Sequence, residues 1–192
     1  MNTLIIIANP RADSFSFAIA NKYKELVLAK NYTVKTLDLY REKHQQPFYF
    51  YKDINKIETT KEMKYFQDKI NWADELIFIF PVWWGSLPAI LKNFIEWNFS
   101  SGFAFEYENS RPKGLLSNKK VKIYTTTGTP SIIYRLSGAR KRLKKTLEKQ
   151  IFEFCGMKLL SFNTYGGLNK KEVDTKKILD KIKCKKRNAN KV

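Results

Sequence analysis

The sequence predicts an α/β protein: a three-layer sandwich whose five-stranded parallel sheet runs in the order 2-1-3-4-5. Three observations predict it. Five short apolar runs alternate with segments of helical periodicity, as in parallel strands joined by right-handed crossovers. The runs T-L-I-I-I-A and E-L-I-F-I-F are apolar along their length, as strands covered on both faces are. No repeat or linker divides the 192 residues, and 43% hydrophobic content suffices for one domain, 1–192, with a sizeable core.

Each element follows in order. Residues 3–8 form the first strand, and residues 16–30 carry Ile19, Tyr23, Leu26 and Val27 at helical spacing. Residues 33–38 make the second strand. Residues 41–55, polar and aromatic with one proline, read as a long loop before a helix over about 59–72. The third strand is 75–80. A helix from Ala89 to near Phe99 follows, with Ile90, Phe94 and Trp97 on one face. Residues 100–117 then form an insertion, opening S-S-G-F-A-F-E-Y-E-N-S-R-P-K-G, which no simple crossover requires and which is a candidate lid or interface. The fourth strand is 121–126, a helix lies within 133–154, the fifth strand is 158–165, and a helix over 172–183 closes the chain.

Composition bounds the partners. The net charge of +18 is carried mostly by scattered lysines, and the clusters at 140–145 and 176–187 interleave with apolar residues as solvated helix faces do. A polyanion or membrane-surface role, and steering of anionic cofactors, are the competing readings of that charge. No run approaches a membrane span, and the N-terminus lacks a basic leader, so a soluble cytoplasmic protein is expected. Cys155 and Cys184 form no C-x-x-C pair and His44 is the single imidazole, which predicts reduced thiols and no metal site.

In a 2-1-3-4-5 sheet the order reverses beside strand one, so the loops after strands one, three and four meet at one crevice. Those loops hold the unusual residues. In N-P-R-A-D-S-F-S-F, Ser14 and Ser16 with the opening helix amides suit a phosphate, although Ser14 or Asp13 serving as a plain helix cap explains them equally. In P-V-W-W-G-S, Trp83 and Trp84 offer walls for a flat ring, and Pro81, Val82 and Gly85 let main chain run close to its edge; core packing is the alternative. In T-T-G-T-P, Thr126, Thr127, Gly128 and Thr129 offer hydroxyls and amides, or form a simple turn. Together the three suit a flavin nucleotide.

These segments, with P-x-W-W-x-x-x-P-A-x-L-K and G-F-A-F-E-Y, resemble the NAD(P)H:quinone oxidoreductases of flavodoxin-like fold, of the diaphorase and bacterial drug-modulator types. The resemblance covers most of the chain. It implies that Ser14, Phe15, Ser16, Pro81, Val82, Trp83, Trp84, Thr126, Thr127 and Gly128 contact FMN or FAD, with the short chain favouring FMN. It implies a homodimer with sites at the subunit interface, where Phe103, Phe105 and Tyr107 face the partner's acceptor or else pack on their own subunit. It also implies ping-pong transfer of two electrons from NAD(P)H to a quinone-like acceptor, with Tyr134 and Arg140 beside the reacting ring. Two departures stand out: Asn9 lies near a common His, and Arg140 replaces a His, so it can stabilise an anion but not relay a proton.

Other classes compete. An electron-carrier flavodoxin would show a hydroxyl-rich S/T-x-T-G-x-T loop and an acidic surface, and this chain has neither. An ancillary regulatory subunit of a membrane ion-efflux system would use the basic surface for channel or peripheral membrane contact. A basic-surface binding protein would keep the fold without turnover. Nucleic-acid binding finds no motif here and is not expected.

Overall fold

The computed structural model describes residues 1–53, 57–168 and 174–184. Its strands are β1 (Asn2–Ile7), β2 (Thr33–Asp38), β3 (Glu75–Pro81), the paired β4 (Phe105–Glu108) and β5 (Arg111–Gly114), β6 (Lys120–Thr127) and β7 (Lys158–Gly166). Helices α1 (Phe15–Leu28), α2 (Lys61–Trp72), α3 (Ala89–Asn98), α4 (Ser131–Leu136), α5 (Ala139–Leu147) and α6 (Thr175–Asp180) connect or follow them. The main sheet is parallel in the order β2-β1-β3-β6-β7, which is the expected 2-1-3-4-5.

Strand periodicity splits the core in two. Leu4, Ile6, Leu76, Phe78, Phe80, Val121 and Ile123 face the layer of α2, α3 and α5, while Ile5, Ile7, Ile77, Ile79 and Tyr124 face α1. Every residue of central β3 is buried. Each such aliphatic side chain contributes about 1.5–3 kcal/mol on burial, so the middle strands dominate the stability of the sheet.

Two lysines that look like surface charge lie inside. Lys119 Nζ donates to Asn71 O at 2.9 Å and Ala73 O at 2.8 Å, satisfying carbonyls at the end of α2, whose start is capped by Thr60. Burial holds its ammonium below the ordinary lysine value. Lys122 Nζ meets Glu75 Oε1 at 2.7 Å and donates to Tyr23 Oη at 2.6 Å, and Tyr23 donates to Glu75 Oε2 at 2.8 Å. This closed triad joins α1 to two strands, with both charges almost wholly out of water.

The structure departs from expectation in one helix and adds detail to two other segments. The single helix expected within 133–154 is two helices broken at Gly138, which is left-handed (φ 74°), and α5 continues into a π-helical turn, Glu148–Phe152. The insertion is an antiparallel hairpin, turned by Asn109 and Ser110 at φ 51° and 61° and braced by Lys113 at 3.1 Å from Glu106 and 3.4 Å from Glu108. The loop after β2 is tied down: Asn93 Nδ2 and Trp97 Nε1 both donate to Pro47 O, while Phe48 and Phe50 stay exposed. Within the expected closing helix and basic cluster, Glu172, Val173 and residues 185–187 lie outside the described residues, as do Ile54 and Asn55 of the long loop.

The hairpin root is tight. A Cβ on Gly114 would stand 2.1 Å from Gly156 N, so only glycine lets the two backbones meet. Leu116 N donates to Cys155 O beside it, just before β7 begins. The hairpin therefore leaves the sheet at its amino edge, opposite the edge where the three loops gather.

Candidate functional site

A cleft of about 440 Å³ opens at the carboxyl ends of β1, β3 and β6. It is lined by Asn9, Pro10, Arg11, Asp13, Ser14 and Phe15 from the first loop, Pro81, Val82 and Trp83 from the second, Thr126, Thr127 and Gly128 from the third, and Leu168. Val82 N donates to Thr126 O at 2.7 Å, so the second and third loops form one wall.

The first loop is built around Asn9. Its Nδ2 donates to Ser16 Oγ and its Oδ1 accepts from Arg11 N, both at 3.0 Å, which folds the loop back over the start of α1. Ser14 stands at the N-cap in extended backbone (φ −77°, ψ 160°), yet its side chain makes no capping bond. Its Oγ is buried without any partner, and the Phe15 and Ser16 amides that follow have no intrahelical acceptor. An unpaired buried hydroxyl beside open helix amides is the donor set that an anionic oxygen satisfies, so these residues fit a phosphate. The simple-cap reading of Ser14 does not describe this geometry. At the rim, Arg11 and Asp13 pair at 3.0 Å, and the guanidinium holds the Asp13 carboxyl below its usual range.

The second loop turns sharply. Trp83 N donates to Ser86 O and Ser86 N to Trp83 O, with Trp84 and Gly85 both at positive φ (50° and 74°), the pattern of a type I′ turn. Trp83 is 42% exposed against the cleft and Trp84 is wholly exposed, so neither tryptophan is a core residue. In the third loop, a Cβ built on Gly128 meets nothing within 4 Å and would project into open space.

Ser14, Phe15, Pro81, Val82, Trp83, Thr126, Thr127 and Gly128 thus come together as the sequence reading grouped them. Ser16 lies beneath, bonded to Asn9, while Trp84, Gly85 and Thr129 do not line the cleft. Tyr134 and Arg140 do not line it either. The Tyr134 hydroxyl is buried and unpaired, and burial raises its pKa. Arg140 donates to Phe162 O and opens on a separate depression with Ser131, Ile132, Arg135, Asn163, Thr164 and Tyr165. Phe103 and Phe105 are half-buried on their own subunit, with Phe105 against Phe154, whereas Tyr107 is exposed. Arg11, Asp13 and Leu168 were not singled out as ligands; the quoted first-loop motif contained the first two.

Crossover-connected strands with an open helix terminus and aromatic wall at their carboxyl ends define a doubly wound α/β protein with its crevice at the point where the strand order reverses. Residues 1–187 match the family model described as flavodoxin-like fold, and the chain belongs to that family, among its NAD(P)H oxidoreductases. It is 30% identical over 193 residues to an uncharacterized NAD(P)H oxidoreductase of Haemophilus influenzae, covering 98% of this chain and 95% of that one. It is 32% identical to NAD(P)H dehydrogenase [quinone] 1 of Cavia porcellus, covering 85% of this chain and 68% of that protein. Among solved structures it is similar to Smu.1420 of Streptococcus mutans UA159 (33% identity, TM-score 0.79, 94% of this chain and 96% of that one). An FMN-dependent NADH-azoreductase of Bacillus anthracis, solved with FMN, shares the fold at 20% identity, TM-score 0.68 and coverage of 93% and 92%.

Proposed function

We propose that this chain is a cytoplasmic, FMN-dependent NAD(P)H oxidoreductase that delivers two electrons by a ping-pong cycle to quinones or related acceptors, acting as one domain, 1–192. The observation that carries the reading is the buried, unpartnered Oγ of Ser14, a residue that lines the cleft at the start of α1. The relatives' names supply the donor and acceptor classes, and the azoreductase complex supplies FMN as the flavin.

A bound flavin would supply the hydride chemistry between NAD(P)H and the acceptor, two electrons at a time. The protein does the rest. Ser14 Oγ and the amides of Phe15 and Ser16 hold the phosphate, and Asn9 fixes the loop that presents them. Pro81, Val82 and Trp83 would wall the ring, and the Thr126–Gly128 backbone, with open space at Gly128, would be free to hydrogen-bond it. Trp84, Gly85 and Thr129 shape the two turns. Tyr134 and Arg140 act from behind the cleft wall, Arg140 as a fixed positive charge. Because Phe103, Phe105 and Tyr107 leave the sheet at its opposite edge, they reach an acceptor only in a second copy's cleft, which is the reason to expect a homodimer.

An anaerobic NAD(P)H titration of the FMN-supplemented protein tests this. Bleaching of the flavin, followed by recovery on adding menadione, is the expected result. Loss of all flavin on desalting would remove the cleft's assignment.

A further inference from the structure

We propose that Arg11 is a further cofactor-binding residue, whose guanidinium leaves Asp13 to take up the phosphate of the bound flavin nucleotide. This deepens the function proposed above and rests on it. The cleft needs a cation at that point. Ser14 Oγ and the Phe15 and Ser16 amides offer hydrogen bonds but no full charge, whereas a phosphate monoester carries about 1.5 to 2 negative charges near pH 7. Among the described residues that line the cleft, Arg11 and Asp13 alone are charged, and they neutralise each other.

The backbone of Arg11 is fixed while its side chain is not. Its N–H donates to Asn9 Oδ1 at 3.0 Å and its carbonyl accepts from Ser14 N at 3.3 Å, which seats residue 11 one turn before the mouth of α1. The guanidinium donates to Asp13 from Nε at 3.2 Å and from Nη2 at 3.0 Å, and has no other partner among the described residues. Both side chains are about three-quarters exposed, at 74% and 76%. Arg41 is the contrast: it donates to Pro10 O and to Asp38 Oδ2, so it is committed to holding the outer side of the same loop. An exposed pair such as Arg11 with Asp13 is among the weakest of ion pairs, and a fork that grips a carboxylate fits two phosphate oxygens equally well. A dianion seated at Ser14 also repels Asp13, the residue directly before it. Arg11 therefore gains a more highly charged acceptor, while Asp13 turns into the water to which it is already open.

Titration of the flavin-free, full-length chain with FMN and with riboflavin, followed by flavin fluorescence, tests the exchange. Arg11→Gln should raise the FMN Kd about tenfold and leave that of riboflavin, which has no phosphate, within about twofold. Asp13→Asn should lower the FMN Kd at least about twofold. The double variant separates exchange from screening. If Arg11 takes the phosphate, Arg11→Gln/Asp13→Asn binds FMN at least about threefold more weakly than the parent chain. A double variant equal to the parent overturns the proposal, because Arg11 then only cancels Asp13. An FMN Kd unmoved by Arg11→Gln overturns it as well, and so do equal losses for FMN and riboflavin, the mark of a disturbed loop. Inorganic phosphate gives a readout that needs no flavin: against chloride at equal ionic strength it should raise the urea midpoint of the parent, and less so that of Arg11→Gln. Such protection in a chain that binds no flavin keeps Arg11 as an anion ligand and removes the proposed function instead.

Discussion

Replacing Ser14 by Ala separates a ligand site from a helix cap by the sign of its effect. An N-cap serine that bonds its helix costs about 1 kcal/mol when lost. Ser14 makes no such bond, and its Oγ is buried with nothing to pair with, a state that costs about 1–3 kcal/mol in desolvation. Ser14→Ala should therefore leave the flavin-free protein as stable as before or about 1 kcal/mol more stable. With flavin present the same change removes a hydrogen bond to a charged oxygen, worth about 1.5–3 kcal/mol, so the Kd should rise roughly 10- to 150-fold. Urea unfolding of the flavin-free protein reads the first number, and quenching of FMN fluorescence reads the second. A flavin-free variant destabilised by about 1 kcal/mol with an unchanged Kd would refute the reasoning, since that is the signature of a cap.

Three further outcomes follow from the geometry. Gly128→Val places a branched side chain in open cleft space without a backbone clash, so flavin retention on desalting should fall while the urea midpoint holds. Lys122→Met strands the Glu75 carboxylate inside the sheet and should cost about 3–5 kcal/mol in urea unfolding, most of it recovered in Glu75→Leu/Lys122→Met. Alkali should weaken the fold through Tyr23 and Tyr124, whose phenols are raised by burial first and then by Glu75 beside Tyr23 and by Tyr165 beside Tyr124. A raised folded pKa gives stability that is intact below the unfolded value of about 10 and is lost as pH climbs beyond it. Two such phenols make unfolding about 3 kcal/mol easier at pH 11 than at pH 9, measurable as a shift in the urea midpoint.

Strand order and the meeting of three loops were legible because they follow from local patterns: apolar runs mark the strands, and the order fixes which loops meet. The hairpin was less legible. Its strands are four residues each, and its turn is Asn-Ser rather than Asn-Gly, though alternation in F-E-Y-E was a usable signal. The break at Gly138 was marked by a Ser-Gly pair inside an otherwise helical period. Lys119 and Lys122 were not legible, since their partners lie 46 to 99 residues away and a lysine in sequence looks solvated. Nor was the exposure of Trp84, which depends on a left-handed backbone value that tryptophan rarely adopts.

That last feature makes the protein carry its own optical gauge. Trp84 stands in water while Trp97 lies in the core with its indole N–H bonded to Pro47 O, so the two indoles report on different surroundings. The red edge of the emission belongs to the turn beside the cleft. Quenching by iodide should reach that component first. Whatever comes to rest on the turn, an acceptor or another copy of the chain, would announce itself as a blue shift and a loss of quenching, with no label attached.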